Sequence, residues 1–186
     1  MYEGNTSTMA TAAEIETRID NLRENYSDFP VEVGEYYHSP ETYQRVRDLH
    51  EDGIHGASRV WVERGHETLL VREESRPQMW SIAGGLIEPN ESAVAAGERE
   101  VMEETGIECI ITDVANVHRA KRYQEDQDPE HGDTPIEELA VAFIAEYVAG
   151  ELRAQAGEIR AVDWWSSIPE SSHPTVNRIA EHRFDS

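Results

Sequence analysis

Residues 85–107 read GLIEPNESAVAAGEREVMEETGI, and they decide what kind of molecule this is. Ser92 follows the Pro89-Asn90 turn and is placed to cap a helix with its hydroxyl. Gly106 is placed to stop that helix, because glycine enters the left-handed conformation cheaply. The segment between them, about 13 residues long, has helical periodicity. Val94, Val101 and Thr105, with Gly97 and Ala95 nearby, fall on one side of the helical wheel. Glu100, Glu103 and Glu104 stand at i, i+3 and i+4, so a neighbouring stripe carries three carboxylates. Anions that close repel one another and weaken a helix, unless divalent cations sit between them. Hard oxygen ligands suit Mg²⁺ or Mn²⁺. A solvated acidic face is the plain alternative, but it leaves the spacing around the triplet unexplained.

That spacing runs Gly85, five residues, Glu91, seven residues, Arg99-Glu100-Val101, then Glu103-Glu104, Gly106 and Ile107. At every specified position it resembles the signature of the Nudix hydrolases. The resemblance implies the Nudix fold over roughly residues 54–183 and metal-assisted hydrolysis of a diphosphate linkage. It implies that Glu100, Glu103 and Glu104 ligate the metal, Mg²⁺ or Mn²⁺, and that Glu100 also contributes to water activation. Arg99 is expected to orient a glutamate by ion pairing, and by position its partner is Glu91. A further acid often comes from a loop before the last core strand. Glu158, after Gly157 and ahead of Trp164, stands there as an additional ligand or general base, or as a plain exposed loop glutamate. Gly84 and Gly85, after the apolar Ser81-Ile82-Ala83, would let the backbone approach phosphate oxygens. Relatives usually carry proline where this chain has Ala83, which bears on the rigidity of the loop.

Charge is the second signal. The chain of 186 residues has 38 acidic and 16 basic side chains, net −22, with Lys121 as its single lysine. Such a surface repels nucleic acid backbones and anionic membranes at low salt. It also repels nucleotides, a conflict that a salt-rich cytoplasm removes, because the Debye length falls to about 3 Å at 1 M salt. The composition therefore favours a halophilic, cytoplasmic protein over an acidic mesophilic one, with neither nucleic acid nor membrane as partner, while a small nucleotide substrate is what the resemblance implies. The single cysteine, Cys109, flanked by isoleucines, fits a buried strand position in a reducing compartment. No apolar run reaches membrane-spanning length, and no leader pattern is evident.

Working outward, residues 1–53 read as a helical extension and 54–186 as the hydrolase domain. Met1–Met9 reads as disordered. Ala12–Tyr26 carries Ile15, Ile19, Leu22 and Tyr26 at helical spacing, and Ser39-Pro40 opens a second helix with Tyr43, Val46 and Leu49. Packing on the core or a homodimer contact is favoured for these helices over a lid. Residues 57–62 and 68–72 form a predicted hairpin. Strands are expected at 108–117, 139–148 and 161–165, with a closing helix at 174–183. The order predicts an α/β sandwich, a mixed sheet between helices.

The polar segment 123–138 reads as a long loop. Its Asp126, Asp128, His131 and Asp133 suggest solvated surface more than a metal cluster, and His118 and His131 match no zinc spacing. Tyr123 sits where some diadenosine polyphosphate hydrolases of the family carry a tyrosine, though a tyrosine beside a strand is more often there for packing. Arg72, Arg119 and Arg122 are candidates for phosphate, and Trp61 and Trp80 for stacking or for the core. The function expected is a pyrophosphohydrolase acting on a nucleoside diphosphate derivative. The competing reading is a nucleotide-sensing module of the same fold, which would tend to lose box carboxylates that this chain keeps.

Overall fold

The computed structural model describes residues 12–127, 129–131 and 133–184. The stretch Met1–Met9, Asp128 and the side chain of His131 lie outside the described residues. In chain order the elements are α1 (Ala12–Asn25), β1 (Val31–His38), α2 (Pro40–Glu51), β2 (Gly56–Arg64), β3 (Glu67–Glu73), β4 (Ala83–Leu86), α3 (Ala93–Thr105), β5 (Ile107–Gln124), β6 (Ile136–Gly150), β7 (Ile159–Trp165) and α4 (Pro174–Phe184). The strands form one mixed sheet in the order β1-β5-β6-β2-β3-β7, with β4 added beside β2. The pairs β1·β5 and β2·β6 are parallel, and the others are antiparallel. This is the mixed sheet between helices that the order of elements predicts. No helix among the described residues is long and apolar enough to cross a membrane.

Strand alternation sorts the core into two layers. On β2, Val60 and Val62 join one core with Val101 of α3, while Trp61 turns to the other with Val176 and Ile179 of α4. Helix α1 lies in the first layer. Its Ile15 and Ile19 are buried beside Phe143 and Val141 of β6, with Leu22 and Tyr26 packed against them. The apolar stripe of α1 is thus spent on the chain's own core and is not left over for a partner. Ile19→Ala should cost about 2–5 kcal/mol of stability, the usual range for truncating a buried isoleucine. Denaturant unfolding measures it, and a loss near zero would mean α1 is a loose appendage.

The N-terminal segment departs from the helical extension expected. Between its two helices, β1 pairs with β5 from Val31↔Val117 to His38↔Gln124. Its VEVGEYYH sequence buries no residue fully at the sheet edge, so it carries little of the alternation that marks a half-buried strand. Its partner lies far along the chain and is parallel, so no hairpin signal accompanies it. Strand β5 is also longer than expected and carries irregularities at Glu108/Cys109, Ile111/Asp113 and Val114/Asn116. It takes in Tyr123, and the polar connection to β6 shrinks accordingly.

Helix α3 is capped as its sequence requires. The Ser92 hydroxyl accepts from the Ala95 N–H at 3.1 Å, and Gly106 closes the helix at φ +73°. Gly97 brings α3 down onto β2, since a Cβ there would lie 2.7 Å from Ser58 Oγ and 2.8 Å from Val60 Cγ2.

Candidate active site

Three acids of the motif, Glu91, Glu100 and Glu103, meet around its arginine on α3. Arg99 is the hub. Its Nε and one terminal nitrogen each donate to Glu91 at 2.9 Å, a bidentate pair. The other terminal nitrogen reaches Glu100 at 2.8 Å and Glu103 at 3.2 Å, and a further bond goes to the Leu86 carbonyl at 3.2 Å. The pairing expected of Arg99 and Glu91 is therefore present, and it extends to two more carboxylates. The hydrogen bonds from Arg99 hold Glu91 below the usual carboxylate range, and Glu91 in turn raises the guanidinium above its ordinary value. Glu91 also accepts from the Glu88 N–H at 3.1 Å, which fastens the loop to the helix.

Glu104 sits apart from this web. It faces inward, is only 4 % exposed, and accepts from the Gly84 N–H at 3.0 Å. Burial pushes its pKa up to about 8, against the lowering effect of that N–H, and the charges of Glu100, Glu158 and Glu73 push the same way. Glu100 is raised too, first by burial, with Arg99 opposing. Glu158 is exposed on the turn before β7, yet its charge contributes to both shifts. So the structure brings Glu91, Arg99, Glu100 and Glu103 into one hydrogen-bonded web, with Glu104 and Glu158 as its electrostatic neighbours.

The Gly84 N–H donates to Glu104. At φ +147° its missing Cβ makes room for the β2 backbone at Ser58, while Gly85 makes room for the Glu100 carboxylate. Glu73 had no signature in the sequence. It ends β3, bonds Arg76 at 3.0 Å, and is tied to the Glu158 turn by the neighbouring Glu74 N–H, which donates to the Glu158 carbonyl at 2.8 Å. Only the pairing of β3 with β7 brings these acids near Glu104.

Other candidates resolve into structural roles. Arg119 is paired with Glu137 and Glu16, and Arg122 with Glu138. Arg72 lies over the Trp80 ring at 4.4 Å. Trp61 and Trp80 are core residues, and Tyr123 is buried in a stack with Tyr37. Asp126 accepts from Gln124, and His118 hydrogen-bonds Tyr36 at 2.8 Å. Cys109 is buried and its thiol is pushed up to about 12, chiefly by desolvation, as an inert strand residue should be.

The donor set suits a hard divalent cation, because it is all carboxylate oxygen. Arg99 engages one oxygen of Glu100 and one of Glu103, leaving the second oxygen of each outside its web. Among the described residues no three acidic, histidine or cysteine side chains already surround one point closely enough to hold an ion. The acids fit a metal by chemistry and charge, and Arg99 now occupies part of the space where they would converge.

A model of the NUDIX domain matches residues 53–180. The chain is 33% identical over 137 residues to the NAD-capped RNA hydrolase NudC of Chromobacterium violaceum, covering 71% of this chain and 47% of that protein. It is 33% identical over 151 residues to the protein of the same name from Pseudomonas aeruginosa, covering 77% and 49%. The chain thus spans about half the length of these relatives. In fold it is similar to a NUDIX hydrolase from Nitrosomonas europaea, with a TM-score of 0.54 at 23% identity, covering 70% of this chain and 88% of that one. With its box on a capped helix against a mixed sheet, and the domain match running over most of its length, this chain belongs to the NUDIX family of hydrolases.

Proposed function

We propose that this protein hydrolyses the diphosphate linkage of a nucleoside diphosphate derivative, with Mg²⁺ or Mn²⁺ held by Glu100, Glu103, Glu104 and Glu158. The observation that carries this reading is the buried Glu104 beside Glu100. Burial and neighbouring anions leave it with more negative charge around it than the protein neutralises. A divalent cation bound there would neutralise the diphosphate and acidify a bound water. The chain's own part is positioning. Arg99 holds Glu91, Glu100 and Glu103 in fixed rotamers, Gly85 lets Glu100 lie against β4, and the Gly84 N–H orients Glu104. Glu100 and Glu158 are the candidates for taking the proton of the attacking water, since general bases must reach it within hydrogen-bond distance.

The relatives' name raises RNA as a substrate, whereas a net charge of −22 argues for a small nucleotide. Parallel assays of NAD⁺, ADP-ribose, UDP-glucose and an NAD-capped RNA, each with Mg²⁺ and with Mn²⁺, separate the two. Turnover is expected to need the metal and to vanish with chelator. At low salt the free dinucleotide should outpace the capped RNA, with the gap narrowing in molar KCl as repulsion of the phosphate backbone is screened. Tight binding across the panel with no turnover would favour the sensing module instead.

The same charge supports adaptation to a salt-rich cytoplasm. The thermal midpoint should rise steeply from dilute buffer to molar KCl, because carboxylate self-repulsion is screened. A midpoint indifferent to salt would remove the halophile reading.

A further inference from the structure

A cavity of about 740 Å³ opens between α1, the residues before β2, the loop ahead of α3 and the start of β6. That is the size of a small-molecule site. It is not the carboxylate cluster: of those acids only Glu91 reaches its wall. The α3 residues lining it, Ala93 and Val94, belong to the first turn, while Glu100 and Glu104 lie further along and face β4.

The floor is apolar, made by Leu22, Ile87, Val94, Leu139 and Val141. Over it α1 presents Arg18, Asn21 and Asn25, spaced three and four residues apart and so on one helix face. The Asn25 side-chain nitrogen donates to the Asn21 carbonyl at 2.7 Å, which leaves the amide oxygen of Asn25 as an acceptor. Arg18 forms no ion pair with any carboxylate among the described residues, in a chain where 38 acids compete for few cations. Across the cavity His55 is stacked on His50 at 4.8 Å, and its Nδ1 is buried without a hydrogen-bond partner. Polar groups thus converge over an apolar floor, the usual layout of a site for a flat ligand with hydrogen-bonding edges.

Charge narrows the ligand. The one guanidinium, Arg18, shares the walls with two carboxylates, Glu88 and Glu91, so a diphosphate is not attracted. We propose that this cavity is a second binding site, one that takes an uncharged nucleobase or nucleoside. The ring lies on Leu22, Leu139 and Val141, and its amide edge meets Arg18, Asn21 and Asn25. Four of these six residues, Arg18, Asn21, Leu22 and Asn25, come from α1, outside residues 53–180. The site therefore goes beyond hydrolysis and stands or falls separately from it.

The test is calorimetric titration of the full chain, without added metal, with adenosine, guanosine, cytidine, uridine and nicotinamide. At least one should bind. Arg18→Met and Asn25→Leu, both exposed positions whose folding a thermal midpoint verifies, should each weaken binding by about tenfold or more. Glu104→Gln should leave binding unchanged. Absence of heat with all five probes overturns the site. Binding that survives both α1 substitutions, or that Glu104→Gln also weakens, overturns it as well.

Discussion

Replacing Glu104 by glutamine is expected to lower kcat by roughly 10²-fold or more, because it removes a charged oxygen from the proposed metal site. The same change should leave the metal-free protein as stable as the parent, or more so. Glutamine keeps the shape and an acceptor for the Gly84 N–H. What it removes is an ionisable group buried beside other anions. In the folded chain Glu104 titrates at about 8, against an ordinary value of 4.5, chiefly because burial disfavours its charged form. A group raised in this way contributes stability fully below 4.5 and loses it as pH climbs to 8. The metal-free parent should therefore become less stable across that window, by on the order of a few kcal/mol, and Glu104→Gln should flatten that part of the profile. Urea unfolding at several pH values, with chelator present, measures both. A parent curve that is flat from pH 5 to 8, or a variant with full turnover, would show that Glu104 is not a buried, charge-crowded carboxyl at the reacting centre.

The second large effect is at Arg99. Arg99→Lys keeps a positive charge but cannot serve Glu91 through two parallel bonds while also reaching Glu100 and Glu103. Groups that orient metal ligands typically cost about 10–100-fold in metal affinity or activity when changed. That loss is expected here, chiefly in kcat and in the metal concentration needed, with KM for the nucleotide little altered. Glu91→Gln should cost a similar factor, and the double variant should cost less than the product of the two, because both act through one bidentate pair. Strict additivity of the two losses would mean that Glu91 and Arg99 serve separate ends.

How far the primary sequence reached can be followed residue by residue. Ser92 and Gly106 bound α3 as local chemistry demands, since capping and left-handed closure involve only residues within a few positions. The pairing of Arg99 with Glu91 was legible because Glu91 stands just ahead of the N-cap of α3 and Arg99 lies in the middle of that helix, only eight residues on. Strand β1 was not legible, because an edge strand with no fully buried residue lacks alternation and its parallel pairing begins as far along the chain as Val117. Nor was Glu73, which no spacing connects to the motif. The arginines misled in the opposite direction: Arg119 and Arg122 looked free for phosphate until β6 set Glu137 and Glu138 beside them.

By itself the order of residues 85–107 determined a capped helix, its stripe of acids and the family they belong to, because each depends on interactions that a few consecutive turns contain. Tertiary structure alone decided that Glu104 turns inward onto the Gly84 N–H while Arg99 gathers the other acids outward. It alone decided that α1 joins the core through Ile15 and Ile19 and walls a cavity with its polar face. The reason is that burial and charge density are properties of what the sheet brings together, and a pKa near 8 exists only where neighbours distant in sequence exclude water.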